Sequence, residues 1–127
     1  MTARLAQFYI SAVFLILGGW ALFFPGHVID LGFTDAYREN SFTTRFIMAC
    51  FGAQAVLFGL VALAVRWSAR TFLVFALLLL PFFWFNYHFH YVVPVLTTYG
   101  MIDFAGNLTM FIASLIGWNA TRPRPQS

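Results

Sequence analysis

The chain has 127 residues, of which 61% are hydrophobic and only 9% are Asp, Glu, Lys or Arg. Soluble domains are about half apolar and about a quarter charged, so water is excluded as the solvent for most of this surface. The net charge of +3 comes from arginines that stand singly or in pairs at the ends of apolar runs, which excludes a basic stripe for nucleic acid. The composition predicts an integral membrane protein whose first partner is the lipid bilayer.

Four apolar runs are long enough to cross the hydrocarbon core, which takes roughly 20 residues in a helix. Prolines, glycines and pairs of arginines separate these runs. The predicted fold class is therefore all-α, an integral membrane four-helix bundle that forms a single membrane domain over residues 1–127. The approximate spans are residues 7–24, 46–65, 71–93 and 102–118.

The only long connection covers residues 25–44, where Thr34 is expected to cap a short helix over residues 35–40. An even number of spans places both termini on one side of the membrane. Five arginines fall on that side, and Arg38 and Arg45 fall on the other. The positive-inside rule then predicts cytoplasmic termini and an outward-facing 25–44 loop.

Small residues mark the helix faces that pack inward, because apolar side chains gain little by leaving lipid for protein. In the second span they repeat at spacings of three, four and three residues, and the fourth span continues its polar face with small residues. These faces predict close helix contacts and need no further function. The predicted helix-packing residues are Gly52, Ala55, Gly59, Ala62, Ser114 and Gly117.

A layer of polar residues comes from three different spans in the predicted outer half of the bundle. An ionisable group at membrane depth is costly, so it is normally paired, solvated or functional. Two interpretations stay open: a structural network in which Arg45 pairs with Asp103 and the asparagines bond across helices, or a pocket that receives a ligand. The candidate site residues are Arg45, Asn86, His90, Asp103 and Asn107.

Other conspicuous residues of the spans carry structural predictions. Gln54 lies about 180° from Arg45 on an ideal helix, so it is expected to contact a different neighbour or another subunit. The aromatic residues over 82–91 are typical of the belt at the headgroup layer. Within that segment His88 and His90 lie on different sides of a helix, so they are not expected to share a ligand.

Catalytic and metal chemistry have weaker support. No nucleophile with an adjacent base, glycine-rich phosphate loop or recognised catalytic motif accompanies His90 and Asp103. A metal site at these two residues needs a third ligand, and a bis-histidine haem needs His27 to fold back onto His90. The single cysteine, Cys50, excludes a disulfide within one chain. The sequence therefore assigns no catalytic residue and no metal ligand, and it names no cofactor.

A family resemblance lies mainly in the first two spans. The first span is rich in glycine and ends in Phe-Phe-Pro-Gly at residues 23–26, and Arg45 then leads into Gly-Ala at 52–53 and Leu-Phe-Gly-Leu at 57–60. This plan resembles the small bacterial four-helix membrane proteins grouped as DoxX-like. The resemblance implies a bacterial cytoplasmic (inner) membrane location and work as a membrane subunit beside a larger partner.

The leading functional hypothesis is a small, non-catalytic multi-pass membrane protein that acts as an accessory subunit or binds a small lipophilic ligand. One alternative is a membrane-embedded enzyme or redox helper that uses His90 and Asp103. The other is an oligomeric channel or transporter. The expected partners are the bilayer, a larger membrane protein complex or a homo-oligomer, and a small lipophilic molecule, with no nucleic acid.

Overall fold

The computed structural model describes residues 2–125, and these form an all-helical structure. Four helices are long and apolar enough to cross a membrane, which confirms the number of spans predicted from the sequence. A π-helical turn covers His88–Val92 and a 3₁₀ turn covers Tyr99–Met101. The α-helices are α1 (Ala3–Phe23), α2 (Pro25–Gly32), α3 (Phe42–Ala64), α4 (Ala69–Tyr87) and α5 (Ile102–Thr121).

Three of the long helices begin at a hydroxyl residue. Thr2, Ser41 and Ser68 each accept a hydrogen bond from the backbone N–H three residues further along the chain. The first turn of a helix has N–H groups without a partner inside the helix, and lipid offers no substitute for water. These side chains therefore let α1, α3 and α4 begin near a membrane interface.

The short helix of the first connection is not where the sequence placed it. The structure has a helix at Pro25–Gly32 and only a turn at residues 35–37, so the predicted helix over 35–40 is wrong. Pro25 stands in the first turn of the helix, where its missing N–H costs nothing. Thr34 Oγ1 donates to the carbonyl of Pro94 at 2.6 Å and so bridges two loops instead of capping a helix.

The long helices are arranged in the spatial order α3, α1, α5, α4. We call the end that holds α2 and the start of α5 the loop end, and the opposite end, with the start of α1 and the end of α5, the termini end. Within residues 2–125, the backbones of α3 and α4 scarcely approach each other, although a short turn joins the two helices. The bundle therefore has a gap on one side, between α3 and α4.

Glycines let α1 and α3 approach closely. A Cβ atom on Gly52 would lie 2.4 Å from the backbone nitrogen of Leu22 and 2.6 Å from the carbonyl oxygen of Gly18. In turn, a Cβ atom on Gly18 would lie 2.7 Å from the Cβ of Ala55, and Gly59 faces α1 in the same way. The small residues of the second span thus lie against the first span, where backbone meets backbone.

The contact between α4 and α5 differs from that between α1 and α3. An aromatic ring packs against a glycine here, whereas the α1–α3 contact has small residues on both sides. Phe72 is fully buried, and a Cβ atom on Gly117 would lie 2.4 Å from its ring. Ser114, also fully buried, donates to the carbonyl of Phe111 at 2.8 Å. Gly117 therefore provides the space into which the Phe72 ring packs.

Gln7 closes the termini end by joining α1 to the α3–α4 turn. Its Nε2 donates to the carbonyls of Ala62 and Val65, both at 2.5 Å, and its Oε1 accepts from the backbone N–H of Trp67 at 3.3 Å. Gln7 is only 2% exposed. One side chain thus satisfies two carbonyls at the end of α3 and one N–H in the turn that follows.

Two loops pair across the loop end and cover it. The N–H of Thr34 donates to the carbonyl of Val95 at 2.8 Å, and the N–H of Thr97 donates to the carbonyl of Gly32 at 2.9 Å. A Cβ atom on Gly100 would lie 2.5 Å from the Gly32 carbonyl oxygen. A glycine is therefore required where the second loop passes α2, and the pairing fixes the start of α5.

Candidate functional site

The end of α4 changes helical type just before the polar residues of α5. The N–H of Val93 donates to the carbonyl of His88 at 2.8 Å, and both Val95 and Leu96 donate to the carbonyl of Phe89. Such π-helical turns often mark functional positions, because they redirect side chains at the end of a regular helix. Here the turn ends α4 before Pro94 and leaves Asn86 in the last regular turn of the helix.

Three predicted site residues form one hydrogen-bonded group, which we call the polar network. Asn86 Nδ2 donates to Asp103 Oδ2 at 2.9 Å. Asn107 Nδ2 donates to the same Asp103 oxygen and to Asn86 Oδ1, both at 3.1 Å. Asn86 and Asn107 are 3% and 6% exposed, whereas Asp103 remains accessible. The network joins α4 to α5 near the loop end.

Arg45 does not join the polar network. Its Nε donates to the carbonyl of Ser41 at 3.3 Å, and its aliphatic chain passes Gly26 of α2. The one ion pair among residues 2–125 joins Arg38 to Asp35, so the predicted pairing of Arg45 with Asp103 is not formed. Arg45 lies in the first turn of α3 on an exposed side, and α1 stands between α3 and α5 in the bundle.

His90 also bonds elsewhere. Its Nδ1 lies 2.9 Å from the carbonyl oxygen of Leu96, which fixes the ring against the loop that follows the π-helical turn. The neighbouring His88 stacks on Trp84, with ring centroids 4.7 Å apart and planes 11° from parallel. The structure therefore holds the two histidines of this segment in different places, and neither bonds to Asp103 among the described residues.

A cavity of about 360 Å³ lies at the centre of the bundle, and we call it the central cavity. All four long helices line it, and it extends into the gap between α3 and α4. Asp103 and Asn107 lie on its wall at the loop end, while Phe58 and Phe75 stack at 6.1 Å across its other end. Its volume is within the range of small-molecule sites in proteins.

The central cavity explains the position of Gln54. The sequence left it facing another neighbour or another subunit, but in the structure it lies on the cavity wall, on the α3 side. Its side chain makes no hydrogen bond within residues 2–125. An amide in the middle of a membrane span is expected to have a polar partner. That expectation could have identified Gln54 as a candidate site residue from the sequence.

Two further cavities continue from the central cavity toward the loop end. One of about 290 Å³ shares Leu17, Phe51, Phe82 and Asp103 with the central cavity. The other, of about 510 Å³, lies against α2 and the start of α3 and again includes Phe51. Phe51 therefore lies on the wall of all three spaces, and Asp103 on the wall of two.

The polar side chains at this end of the bundle take part in hydrogen bonds. Among residues 2–125, no three His, Cys, Asp or Glu side chains come close enough together to hold a metal ion. His27, which lies in α2, accepts a hydrogen bond from Trp20 Nε1 at 2.9 Å. The arrangement offers an apolar space with a carboxylate and amides at one end, which can bind and orient a molecule.

Comparison with known proteins adds no relative to this picture. No family model, no curated protein and no solved structure matches the chain.

Proposed function

We propose that this multi-pass membrane protein binds a small lipophilic molecule in the central cavity. The observation that carries the proposal is the combination of an apolar cavity of about 360 Å³ with convergent polar groups: Asp103 and Asn107 on one wall and Gln54 on another. Ligand sites are typically apolar spaces in which a few placed polar groups orient the ligand. The polar network supplies the orienting groups, and four helices supply the apolar walls.

The gap between α3 and α4 supports entry from the lipid. The backbones of the two helices are not in close contact, and the exposed residues Phe51, Phe58 and Leu78 lie where the central cavity meets the surface. A lipophilic molecule concentrates in the bilayer, so a lateral opening gives it a route that avoids the headgroup layer. The proposal therefore needs no channel through the bundle.

The proposed membrane setting is the bacterial cytoplasmic membrane with both termini inside. Five arginines lie near the termini end of the helices, and two lie near the loop end. The positive-inside rule then favours cytoplasmic termini, and the DoxX-like resemblance supports the bacterial location. Two C-terminal fusions test this orientation, one to a reporter that is active only in the cytoplasm and one to a reporter that is active only outside it. Activity of the outside reporter would refute it.

The rival proposal of catalysis by His90 with Asp103 has less support from the geometry. Asp103 bonds to Asn86 and Asn107, whereas His90 bonds to the carbonyl of Leu96 and does not line the central cavity. A general acid–base pair needs hydrogen-bond reach between its members or through one water. Binding therefore agrees better than proton transfer with the contacts at this end of the bundle.

Native mass spectrometry of protein extracted in a mild detergent tests the binding proposal. We expect wild-type protein to retain a small molecule. Gln54→Phe adds a ring on the cavity wall and should abolish that retention. Leu57→Phe is the matched control, because Leu57 is 57% exposed, lies on the same helix and does not line the central cavity. Absence of any retained molecule, or equal retention by both variants, would refute the proposal.

A further inference from the structure

Asp103 is a carboxylate that faces the central cavity without a cation beside it. Its Oδ2 accepts two amide N–H groups, from Asn86 and Asn107, while its Oδ1 accepts no hydrogen bond within residues 2–125. Arg45, which the sequence predicts to pair with Asp103, bonds to the carbonyl of Ser41 instead. Asp103 is exposed in the first turn of α5, so its free oxygen is accessible to a positive group in the central cavity.

The polar network presents mainly hydrogen-bond acceptors to the central cavity. Both hydrogens of Asn107 Nδ2 are engaged, one by Asn86 Oδ1 and one by Asp103 Oδ2. The carboxylate itself only accepts when ionised. An anionic ligand head would meet Asp103 with charge of the same sign, whereas a cationic head would complete the network.

Aromatic rings make up much of the rest of the cavity wall. The faces of these rings carry partial negative charge, and a cation within about 6 Å of a ring centroid is attracted to them. Two of the rings, Phe14 and Phe58, have centroids 4.6 Å apart and form a continuous aromatic surface. The phenylalanines that line the central cavity are Phe14, Phe51, Phe58, Phe75 and Phe82.

We propose that the ligand of the central cavity is a lipophilic cation, with an ammonium group at Asp103 and an apolar body among the phenylalanine rings. This inference rests on the proposed binding function and names the chemical class of the ligand. The carboxylate supplies the negative charge that an ammonium requires, and the phenylalanine rings supply an apolar wall for the body of the ligand. The experiment below tests whether the central cavity recognises this positive charge.

The test compares two probes that differ only in charge. Benzyltrimethylammonium and neopentylbenzene have the same shape, with a quaternary nitrogen in one and a carbon in the other. Binding is measured by equilibrium dialysis against the full chain in a non-ionic detergent. We expect the cation to bind about tenfold or more tightly than the neutral probe, a ratio that separates charge recognition from apolar burial.

Variants then locate the charge that is recognised. Asp103→Asn keeps the size of the side chain and removes its charge, so the affinity for the cation should fall to that for neopentylbenzene. Asp35→Asn removes an equal charge from the exposed Arg38 pair, outside the central cavity, and should leave both affinities unchanged. If Asp103→Asn fails to fold, Phe82→Leu, which removes one ring of the wall, should weaken the cation more than the neutral probe.

Each outcome decides between the two proposals. Equal binding of the two probes to the wild-type protein, with loss of both in Gln54→Phe, would keep the binding function and overturn the cation assignment. A preference for the cation that survives Asp103→Asn would place the charge recognition at another group and overturn the cation assignment as well. Failure of both probes to bind would overturn it together with the site.

Discussion

Replacement of Gln7 by leucine should destabilise the protein strongly, although the change is from polar to apolar in a membrane helix. Gln7 is 2% exposed and makes three hydrogen bonds to backbone groups: the carbonyls of Ala62 and Val65 and the N–H of Trp67. Leucine has a similar size but can make none of them. The two carbonyls at the end of α3 and the N–H in the following turn would then be left without partners.

The magnitude follows from those three bonds. Hydrogen bonds between membrane helices contribute about 0.6 kcal/mol each on average, which gives about 2 kcal/mol for three. Buried bonds in proteins reach about 1.5 kcal/mol each, which gives about 4.5 kcal/mol. We therefore expect Gln7→Leu to lower the free energy of unfolding by about 2–4.5 kcal/mol, with separation of α1 from the α3–α4 turn.

The assay is reversible unfolding in mixed micelles with increasing SDS, followed by tryptophan fluorescence. Gln54→Leu is the matched control, because Gln54 is also in a membrane helix but makes no hydrogen bond within residues 2–125. The control should change the free energy of unfolding by less than about 0.5 kcal/mol. Equal effects of the two substitutions would show that the Gln7 bonds do not hold the turn, and would refute this reasoning.

Two further pairs of variants test the α1–α3 contact and the polar network by the same unfolding assay. Gly52→Ala should destabilise by about 1–3 kcal/mol, because its Cβ would lie 2.4 Å from a backbone atom of α1. Gly19→Ala meets no atom within 4 Å and should be neutral or stabilise by up to about 1 kcal/mol, and destabilisation by both would contradict the role of the close approach. Asn107→Leu removes two hydrogen bonds and should lower stability by about 1–3 kcal/mol and release the retained molecule. The exposed Asn119→Leu should do neither, and an unchanged Asn107→Leu protein would speak against the network.

The sequence could predict the four spans because membrane thickness imposes a length on any apolar helix. Runs of about 20 apolar residues have no alternative in lipid, since every backbone group must bond within the helix. The spacing of Gly52 and Gly59 likewise indicated an inward face, because a pattern of three and four residues keeps small side chains on one side. Both inferences use only local geometry, and the structure has four helices long and apolar enough to cross a membrane.

The short helix and the role of Arg45 were decided by contacts between distant segments. Thr34 bonds to Pro94, which is sixty residues away in the chain, and this bond takes the hydroxyl that the sequence assigned to a helix cap. Arg45 is long and exposed, so its guanidinium can bond to the nearby Ser41 carbonyl as easily as to a distant carboxylate. Periodicity shows which face of a helix a residue lies on, but it does not show which helix that face meets.

By itself, the sequence determined that the chain is a bundle of membrane helices with polar residues of three spans gathered near one end. Only the tertiary structure decided which of those residues meet: Asn86, Asp103 and Asn107 bond together. It also decided that α3 and α4 stand apart, and this gap creates the central cavity and gives Gln54 a place on its wall. The physical reason is that helix order and spacing depend on the fit of all four surfaces at once, which no single span encodes.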